Sequence, residues 1–386
     1  MPESYSFFAT TAKGMEPLLV NELRGLGATS VQQTRAGASF EGPLELAYRA
    51  CLWSRIANRV LLPLKKFPAP TQEKLYGGVK SIRWSDHMTP ANTLAVDFTS
   101  SESQITHSHF GALKVKDAIV DQFRSVHGTR PSVNPLQPDL RINVYLFRDE
   151  ASVAIDLSGD SLHRRGYREE GVFAPLKENL AAAILTMAGW TAGSNEGPNA
   201  QGFIDPMCGS GTLPIEAGMI AARIAPGLGR KHFGFLNWQN HVPVLWKRLL
   251  EEANEVQIRD RKKLPKIVGY DRDFRAVRVA LSNSERAGMR TVVHIEKREL
   301  AACDPISSSG IIVANPPYGE RLGEVEELRP LYKALGDLYK QKFKGWNGFV
   351  FTGSPELAKC VGLKTAHRHI LYNGAIECRL LHYALY

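Results

Sequence analysis

The stretch D-P-M-C-G-S-G-T, residues 205–212, decides the fold class, because it joins an apolar strand, Gly202 to Ile204, to an apolar helix, Leu213 to Ile224. Gly209 and Gly211 let the backbone turn tightly and approach a ligand. The free N–H groups at the start of the helix suit an anionic group. The spacing does not match the G-x-G-x-x-G pattern, which disfavours a nicotinamide dinucleotide.

The same pattern continues from about Ser158 to the end of the chain: apolar strands are followed by turns rich in Gly, Asp or Pro. This alternation with amphipathic helices predicts an α/β fold with a mostly parallel, Rossmann-like sheet. Ligands bind at the carboxyl ends of such strands. The candidate strands are Gly202 to Ile204, Lys266 to Tyr270, Thr291 to Glu296, Gly310 to Ala314 and Trp346 to Thr352.

A second informative stretch, Val268-Gly269-Tyr270-Asp271, places an acidic residue at the end of the next candidate strand. A carboxylate at this position accepts hydrogen bonds from both ribose hydroxyls of an adenosine-containing ligand. Asp271 lies 62 residues after Gly209 (271 − 209), compared with roughly 20 in a simple β-α-β unit, so an insertion of about forty residues is expected.

The insertion is rich in basic residues and carries aromatic ones. Two interpretations stay open: a basic, aromatic surface beside the site, or a solvated helix pair. The residues concerned are Arg223, Arg230, Lys231, His232, Trp238, Lys247, Arg248, Arg259, Arg261, Lys262 and Lys263.

The most informative stretch is the strand Ile311 to Ala314, which runs directly into Asn315-Pro316-Pro317-Tyr318. An amino group on a nucleobase is a poor nucleophile because its lone pair is delocalised into the ring. The Asn315 side-chain oxygen and the Pro316 carbonyl can each accept one amino hydrogen. The prolines fix the backbone and bring no competing N–H, and Tyr318 can stack on an extruded base. The four residues are therefore the candidate catalytic site, which acts by alignment.

The front half of the chain reads as two α+β segments. Residues 1–66 show the order strand, helix, strand, strand, helix, strand, which is ferredoxin-like. The prolines near residue 68 mark a boundary to a second segment, 67–158. The predicted elements are Tyr5 to Ala9, Met15 to Leu26, Ser39 to Phe40, a helix after Pro43, Arg59 to Leu64, Glu73 to Ile82, Thr93 to Thr99, Gly111 to Val126, Arg141 to Phe147 and Ser152 to Leu157.

Composition is that of a folded protein, and its positive charge favours a polyanionic partner, either nucleic acid or an acidic membrane surface. Hydrophobic residues make up 44% and charged residues 23%, and 48 Lys and Arg against 39 Asp and Glu give a net charge of +9. The five cysteines are scattered without C-x-x-C spacing, which argues against a metal site. Neither a signal sequence nor a membrane-spanning run is visible, so a cytoplasmic protein with no membrane partner is expected.

Two further stretches carry a family resemblance: Arg164-Arg165-Gly166-Tyr167-Arg168, and Ala174-Pro175-Leu176-Lys177-Glu178. Together with the glycine-rich turn, the acidic strand end and N-P-P-Y-G-E-R-L at 315–322, they resemble the THUMP-domain class I methyltransferases that use S-adenosylmethionine to modify RNA. Within that family, the chain is most similar to the bacterial group that methylates guanine N2 at G2445 of 23S ribosomal RNA.

The resemblance implies a ferredoxin-like unit at 1–66, an RNA-binding THUMP domain at 67–158 and a methyltransferase domain at 159–386. Some members carry a second, fused methyltransferase, and a chain that stops at Tyr386 would have a single activity. His163 and the neighbouring arginines would contact phosphate or be solvated in a linker. The implied cofactor-binding residues are Asp205, Pro206, Gly209, Gly211 and Thr212 around the methionine part, Asp271 at the ribose, Glu299 at the adenine, and Pro175 and Lys177 lining the pocket.

The N-P-P-Y tetrapeptide does not name the acceptor by itself. In related enzymes it also serves adenine N6 of DNA or RNA and the glutamine amide of release factors, and a transfer RNA guanine is the nearest competitor. The front half of the chain favours RNA over the other acceptors. A non-catalytic RNA-binding factor for ribosome assembly is the alternative from a different class.

Overall fold

The computed structural model describes residues 4–168, 176–191, 201–319 and 322–386, without the side chains of 322–324. The chain forms two compact units. The first comprises Met1–Thr11, Leu19–Leu162 and Arg230–Glu251, and the second comprises Ala12–Leu18, His163–Gly229 and Glu252–Tyr386. Three short segments thus group differently from the continuous domains expected from sequence: residues 12–18 group with the second unit, and residues 159–162 and 230–251 with the first.

The first unit is built on one eight-stranded sheet with the strand order β2-β3-β1-β4-β8-β7-β5-β6. Its first part shows the predicted ferredoxin-like succession, and the neighbour order β4-β1-β3-β2 is antiparallel throughout. The elements of this part are β1 (Tyr5–Thr10), α1 (Glu16–Gly25), β2 (Thr29–Thr34), β3 (Gly37–Gly42), α2 (Leu44–Trp53) and β4 (Arg59–Pro68).

The second part of this sheet contains the elements predicted for residues 67–158, each within a few residues, and a short additional strand. These elements are α3 (Gln72–Lys80), β5 (Thr93–Ser101), α4 (Ser108–His127), β6 (Ser132–Val133), β7 (Leu140–Phe147) and β8 (Glu150–Asp156). The outer strands β5, β6 and β7 run parallel, and β7 and β8 form an antiparallel hairpin.

Strand β4 continues to Pro68 instead of ending at Leu64 as predicted. It pairs with β8 along its length, and the register shifts between Pro63 and Lys65. A proline cannot donate to a strand ladder, and such a shift is where a sheet accommodates one. The prolines therefore do not end the strand, and β4 joins the two parts into one sheet.

In the second part of this sheet, the core lies between one face of the strands and helices α3 and α4. Buried apolar side chains of the strands, such as Phe98, Ile142 and Val144, contribute to it. Gly111 in α4 has no side chain because a Cβ there would stand 2.5 Å from the Phe98 ring. This close approach brings α4 directly onto β5.

The second unit is built on a seven-stranded sheet with the strand order β11-β10-β9-β12-β13-β15-β14. The five predicted strands form its parallel part. An antiparallel hairpin that was not predicted from the sequence adds two strands at one edge. The strands are β9 (Gly202–Asp205), β10 (Ile267–Asp271), β11 (Val293–Lys297), β12 (Gly310–Ala314), β13 (Asn347–Thr352), β14 (His367–Asn373) and β15 (Ile376–Ala384).

The helices that accompany this sheet follow its strands. Helix α6 is almost wholly apolar and fully buried, as expected where both faces of a parallel sheet are covered. The helices of this unit are α5 (Glu178–Met187), α6 (Thr212–Ala221), α8 (Phe274–Arg286), α9 (Leu322–Lys342) and α10 (Pro355–Cys360), whereas most of α7 (Pro243–Glu255) belongs to the first unit.

The insertion, which lies between α6 and β10, is neither a helix pair nor an aromatic binding surface. It contains one α-helix, α7, and its aromatic side chains pack into the first unit. Trp238 is 3% exposed and stacks on His87, and Phe235 stacks on Tyr48 with ring centroids 4.2 Å apart. The interpretation of Trp238 as part of a basic, aromatic surface was wrong. Burial of its large apolar ring stabilises the unit and removes the ring from contact with solvent.

Within the residues that the structure describes, no helix is both long enough and apolar enough to cross a membrane.

Candidate active site

Four neighbouring strands carry the predicted site residues to one edge of the second sheet. Strands β11, β10, β9 and β12 run parallel in that order. Their carboxyl ends therefore meet at the same edge. Asp271 and Asp205 end β10 and β9, and Asn315 follows β12 directly.

The turn after β9 has the conformation that its glycines predict. Gly209 and Gly211 adopt positive φ angles of +52° and +83°, which other residues rarely adopt. A Cβ on Gly211 would approach that of Ala280 to 3.0 Å, whereas a Cβ on Gly209 would meet nothing within 4 Å. The backbone is therefore packed at Gly211 and open at Gly209. The open side is where a ligand can reach the main chain and the start of α6.

Asp271 supports this turn from the neighbouring strand. One carboxylate oxygen accepts the Gly209 N–H at 2.9 Å, and the other accepts the Asp273 N–H at 2.9 Å. A carboxylate has about four lone-pair positions, so two remain for other donors. Asp271 is thus held in one orientation and still has acceptor capacity.

Asp205 lies beneath the turn, with 2% of its surface exposed. Its carboxyl group accepts the Met207 N–H at 3.0 Å. Burial, with a smaller contribution from the charge of Asp271, raises the pKa of Asp205 to about 8. The carboxyl group is therefore mostly protonated at neutral pH, and its visible contact is to the turn itself.

The remaining residues of the predicted turn are buried, and they reveal a contributor that the sequence did not single out. Pro206 and Thr212 are both buried. The Thr212 hydroxyl accepts a hydrogen bond from Arg168 at 2.6 Å, and Arg168 also donates to the Leu176 carbonyl at 3.1 Å. The R-R-G-Y-R stretch was the available signal, but its spacing alone did not indicate this partner.

The outer cofactor-binding candidates are more exposed. Glu299 is exposed and directly follows Arg298, whose N–H donates to the Asp271 carbonyl at 3.0 Å. Lys177 is exposed at the start of α5. Pro175 lies outside the described residues. These three assignments stay predictions.

Asn315 presents a buried acceptor that is not used within the protein. In the parts of the chain that the structure describes, its Oδ1 atom has no hydrogen-bond partner. Leaving a buried polar atom unpaired costs about 1–3 kcal/mol. Such an atom at the carboxyl end of a central strand is poised to receive a donor from a ligand.

The backbone after Asn315 is held in place by a hydrogen bond from helix α9. Pro316 is buried and Pro317 is exposed. The Tyr332 hydroxyl, on the buried face of α9, donates to the Pro317 carbonyl at 3.2 Å and lies 2.8 Å from the Thr352 hydroxyl. Tyr332 was not predicted from sequence, since nothing in a helical tyrosine indicates which distant carbonyl it meets.

Tyr318 is anchored at its hydroxyl group. Asn373, at the end of β14, donates to that oxygen at 2.8 Å. The ring also packs tightly on the backbone of Gly353, where a Cβ would stand 3.1 Å from two ring carbons. The ring is thus fixed in one place. Its predicted role as a stacking platform for a base stays a prediction.

The phosphate-contact interpretation of the arginines near His163 was wrong for Arg165. Its side chain is 2% exposed and pairs with the fully buried Glu216 at 3.4 Å, and the Tyr167 hydroxyl also donates to Glu216. A buried charge needs such partners because desolvation is costly. Burial and the neighbouring cations lower the pKa of His163 to about 4, so this side chain is neutral at physiological pH.

Metal ligands do not gather at this edge. Among the described residues, no group of three or more His, Cys, Asp or Glu side chains is arranged to hold a metal ion. The residues present instead fit an adenosine-containing ligand, because an open backbone at Gly209, spare acceptor positions on Asp271 and the unpaired Asn315 Oδ1 lie at one sheet edge.

Fold and site together define a class I methyltransferase domain that follows a ferredoxin-like and a second α+β segment. The chain matches the family described as "RMKL-like, methyltransferase domain" over residues 165–382, "RlmL ferredoxin-like domain" over 6–61 and "THUMP domain" over 69–156. The chain belongs to the RMKL-like methyltransferase family, with a THUMP domain in its front half.

Relatives extend over nearly the whole chain. "Ribosomal RNA large subunit methyltransferase K/L" of Syntrophotalea carbinolica is 53% identical over 99% of this chain and 54% of its own length. The chain spans about half the length of the curated relatives it matches.

Two solved structures share the complete architecture. SMU.472, described as a putative methyltransferase complexed with SAH, is 32% identical with a TM-score of 0.88, over 100% of this chain and 99% of its own. A protein of Listeria monocytogenes, described as a predicted N6-adenine-specific DNA methylase, is 30% identical with a TM-score of 0.87, over 100% and 97%.

Proposed function

We propose that the chain methylates the exocyclic N2 amino group of a guanine in RNA, with S-adenosylmethionine as methyl donor and 23S ribosomal RNA as the substrate. The observation that carries this proposal is the buried, unpaired Oδ1 atom of Asn315 at the end of β12. A ligand that brings an N–H to this atom satisfies it.

The amino group of guanine suits this acceptor. Asn315 Oδ1 accepts one amino hydrogen and the Pro316 carbonyl accepts the other, so the nitrogen lone pair turns out of the ring plane toward the methyl donor. Such alignment of a weak nucleophile is an effective source of rate acceleration. Tyr332 and Asn373 keep the backbone and ring of this turn in place through Pro317 and Tyr318.

The proposed cofactor site uses the neighbouring strand ends. When bound, S-adenosylmethionine supplies an electrophilic methyl group on a sulfonium ion. Gly209 and Gly211 would admit its methionine part to the backbone, and Asp271 would accept from the ribose hydroxyls with its free lone pairs. Glu299 would accept from the adenine amino group. The SAH reported in the SMU.472 structure supports this cofactor class.

The RNA substrate is supported by the front half of the chain. A THUMP match, an RlmL ferredoxin-like match and a ribosomal RNA methyltransferase relative at 53% identity all favour RNA over DNA and protein. A ribosomal RNA substrate also implies action in the cytoplasm.

Adenine N6 is the second candidate acceptor. One observation favours it: the Listeria relative of the same architecture is described as a predicted N6-adenine-specific DNA methylase. The geometry at Asn315 fits either amino group, because both present two hydrogens on a ring-bound nitrogen. The THUMP domain counts against DNA as the carrier of that adenine.

A labelling experiment tests the proposal. The purified chain is incubated with methyl-labelled S-adenosylmethionine and separate pools of undermodified ribosomal RNA, transfer RNA and DNA. Label in ribosomal RNA is expected. Label confined to transfer RNA or DNA would contradict the proposed substrate. Failure to bind either S-adenosylmethionine or its homocysteine product in calorimetry would favour a non-catalytic RNA-binding factor.

A further inference from the structure

An open face of the first sheet carries two aromatic side chains that the proposed reaction does not use. Tyr145 and Phe147 lie two residues apart on β7, so both point to the same face. Their rings are parallel within 5°, with centroids 6.1 Å apart. Tyr145 is 39% exposed, although the neighbouring residues Val144 and Leu146 are buried on the opposite face.

Polar side chains extend this face on both sides of Tyr145. The register places Thr99 of β5 and Ser152 of β8 directly beside it, and Lys66 of β4 beside Ser152. Directly opposed residues in a sheet share a face. The face is therefore a polar row four strands wide with an aromatic ring in it, whereas the opposite face is covered by α3 and α4.

Basic side chains stand over the second ring. The Arg148 guanidinium lies 4.9 Å from the centre of the Phe147 ring, and that of Arg35, from the turn between β2 and β3, lies 6.0 Å from it. Arg148 has a φ angle of +49° in the two-residue turn between β7 and β8. Such a turn favours glycine or asparagine, so an arginine there is unexpected for the turn alone.

The charges of this surface favour an anion. Its three basic side chains, Arg35, Arg148 and Lys66, are 80%, 71% and 63% exposed. Two half-exposed acids pair with them: Glu102 with the arginines and Glu150 with Lys66. Ion pairs at such exposure contribute little, so phosphate groups can replace the acids as partners.

We propose that this surface, defined by Tyr145, Phe147, Arg35, Arg148 and Lys66, binds a single-stranded segment of the RNA substrate. A base stacks on Tyr145, a neighbouring base stacks on the guanidinium groups over Phe147, and the basic groups contact phosphates. Unpaired bases stack on aromatic rings and guanidinium planes, whereas bases inside a duplex are hidden. The inference rests on the proposed function, because it takes RNA as the substrate.

A binding experiment with the full chain separates base stacking from general attraction to phosphate. The probes are a short fluorescein-labelled oligoadenylate and the same strand annealed to oligouridylate, with affinity read from fluorescence anisotropy. Tyr145→Ala is expected to weaken single-strand binding by about tenfold or more and to leave duplex binding within about twofold. Tyr145→Phe retains the ring and is expected to bind as the wild type does.

Leu136→Ala is the matched control, since Leu136 is 85% exposed in the same unit and lies outside this surface. Equal affinity of Tyr145→Ala and wild type for the single strand would overturn the inference. So would an equal loss for single strand and duplex, or a wild-type preference for the duplex.

A cross-link locates the contact directly. Single-stranded RNA containing 5-iodouridine, irradiated on the wild-type chain, is expected to cross-link to the peptide that carries Tyr145. Failure of the proposed function would be seen separately: the chain would bind the single strand yet transfer no methyl group to ribosomal RNA. If ribosomal RNA is methylated while Tyr145→Ala has no effect, the function stands and this surface is refuted.

Discussion

The two turns that form the candidate site differ in how their polar groups are used. The turn at 205–212 is held by hydrogen bonds within the protein: Asp271 accepts the Gly209 N–H, Asp205 accepts the Met207 N–H, and Asn283 donates to the Ser210 carbonyl at 2.9 Å. The turn at 315–318 contains an unpaired acceptor, Asn315 Oδ1. Hydrogen bonds from Tyr332 and Asn373 hold the rest of this turn in place.

This difference in hydrogen bonding suggests that the turn at 205–212 serves cofactor binding and the turn at 315–318 serves methyl transfer. A turn that several hydrogen bonds hold in place without a ligand is preformed, and a ligand that adds contacts to it binds at a lower cost of ordering. A turn with an unpaired acceptor is stabilised only when the reacting group arrives. Substitutions in the first turn should therefore change cofactor affinity, and substitutions in the second should change turnover.

Asn315→Ala is expected to have the largest effect. It removes the acceptor that orients the amino group, so kcat for methyl transfer should fall about 100-fold or more, while the Kd for S-adenosylmethionine stays within about twofold. Single-turnover kinetics and calorimetry measure the two. Asn315→Asp, which retains an oxygen at that position, should lose less. An equal loss of affinity and turnover in the alanine variant would show that Asn315 is structural.

Asp271→Ala should show the opposite pattern. The variant loses the acceptor for the Gly209 and Asp273 N–H groups and for the ribose, so the Kd for S-adenosylmethionine should rise by about 10-fold to 100-fold, given the strength of bonds to charged groups. Asp271→Asn retains one acceptor oxygen, so its Kd should lie between those of the wild type and Asp271→Ala. Calorimetry with S-adenosylhomocysteine checks this order. Unchanged affinity in the alanine variant would refute the ribose assignment.

Tyr332→Phe tests the hydrogen bond from Tyr332 to the Pro317 carbonyl, which supports the turn at 315–318. Without the hydroxyl group the Pro317 carbonyl loses its donor, so kcat should fall about fivefold because alignment of the acceptors loosens. The KM for S-adenosylmethionine should not change. Thr352→Val removes the neighbouring hydroxyl but spares the bond to Pro317, and should affect kcat less. If KM rises while kcat stays at the wild-type value, Tyr332 has no part in alignment.

Asp205→Asn is expected to have the smallest effect on turnover and a distinct effect on stability. The folded-state pKa of about 8 exceeds the ordinary value of 3.8, so between these values the folded chain retains a proton that the unfolded chain has lost. Stability from this group is therefore full below about pH 4 and is lost as pH rises toward 8, by at most about 1.4 kcal/mol per pH unit.

The amide does not ionise, so the unfolding free energy of Asp205→Asn should decline less between pH 5 and pH 8 than that of the wild type. Urea unfolding at several pH values measures the difference. The same decline in both proteins would show that Asp205 does not hold its proton in the folded state.

The sequence predicts the strand ends well because hydrophobic runs and turn residues are local signals. The five parallel strands and the ferredoxin-like order needed only such signals. The hairpin β14 and β15 was missed, since its exposed polar positions weaken the apolar pattern. The end of β4 was predicted at Leu64 instead of Pro68, because pairing of β4 with β8 is a long-range feature.

The candidate site shows the same division. The stretches at 205–212, 271 and 315–318 are contiguous motifs and could be named in advance. Tyr332, Asn373 and Arg168 could not, because each reaches the site through a contact between residues distant in sequence. The exposure of individual side chains could not be predicted from the sequence either. Trp238 and Arg165 are buried in the structure.

Nucleoside analysis of the reaction product shows directly whether the chain methylates guanine N2. Undermodified 23S ribosomal RNA is treated with the purified chain and labelled S-adenosylmethionine, digested to nucleosides and separated by mass spectrometry. We expect the label in N2-methylguanosine, and no label when the Asn315→Ala chain is used. Label in N6-methyladenosine, or undiminished N2-methylguanosine with Asn315→Ala, would contradict this expectation.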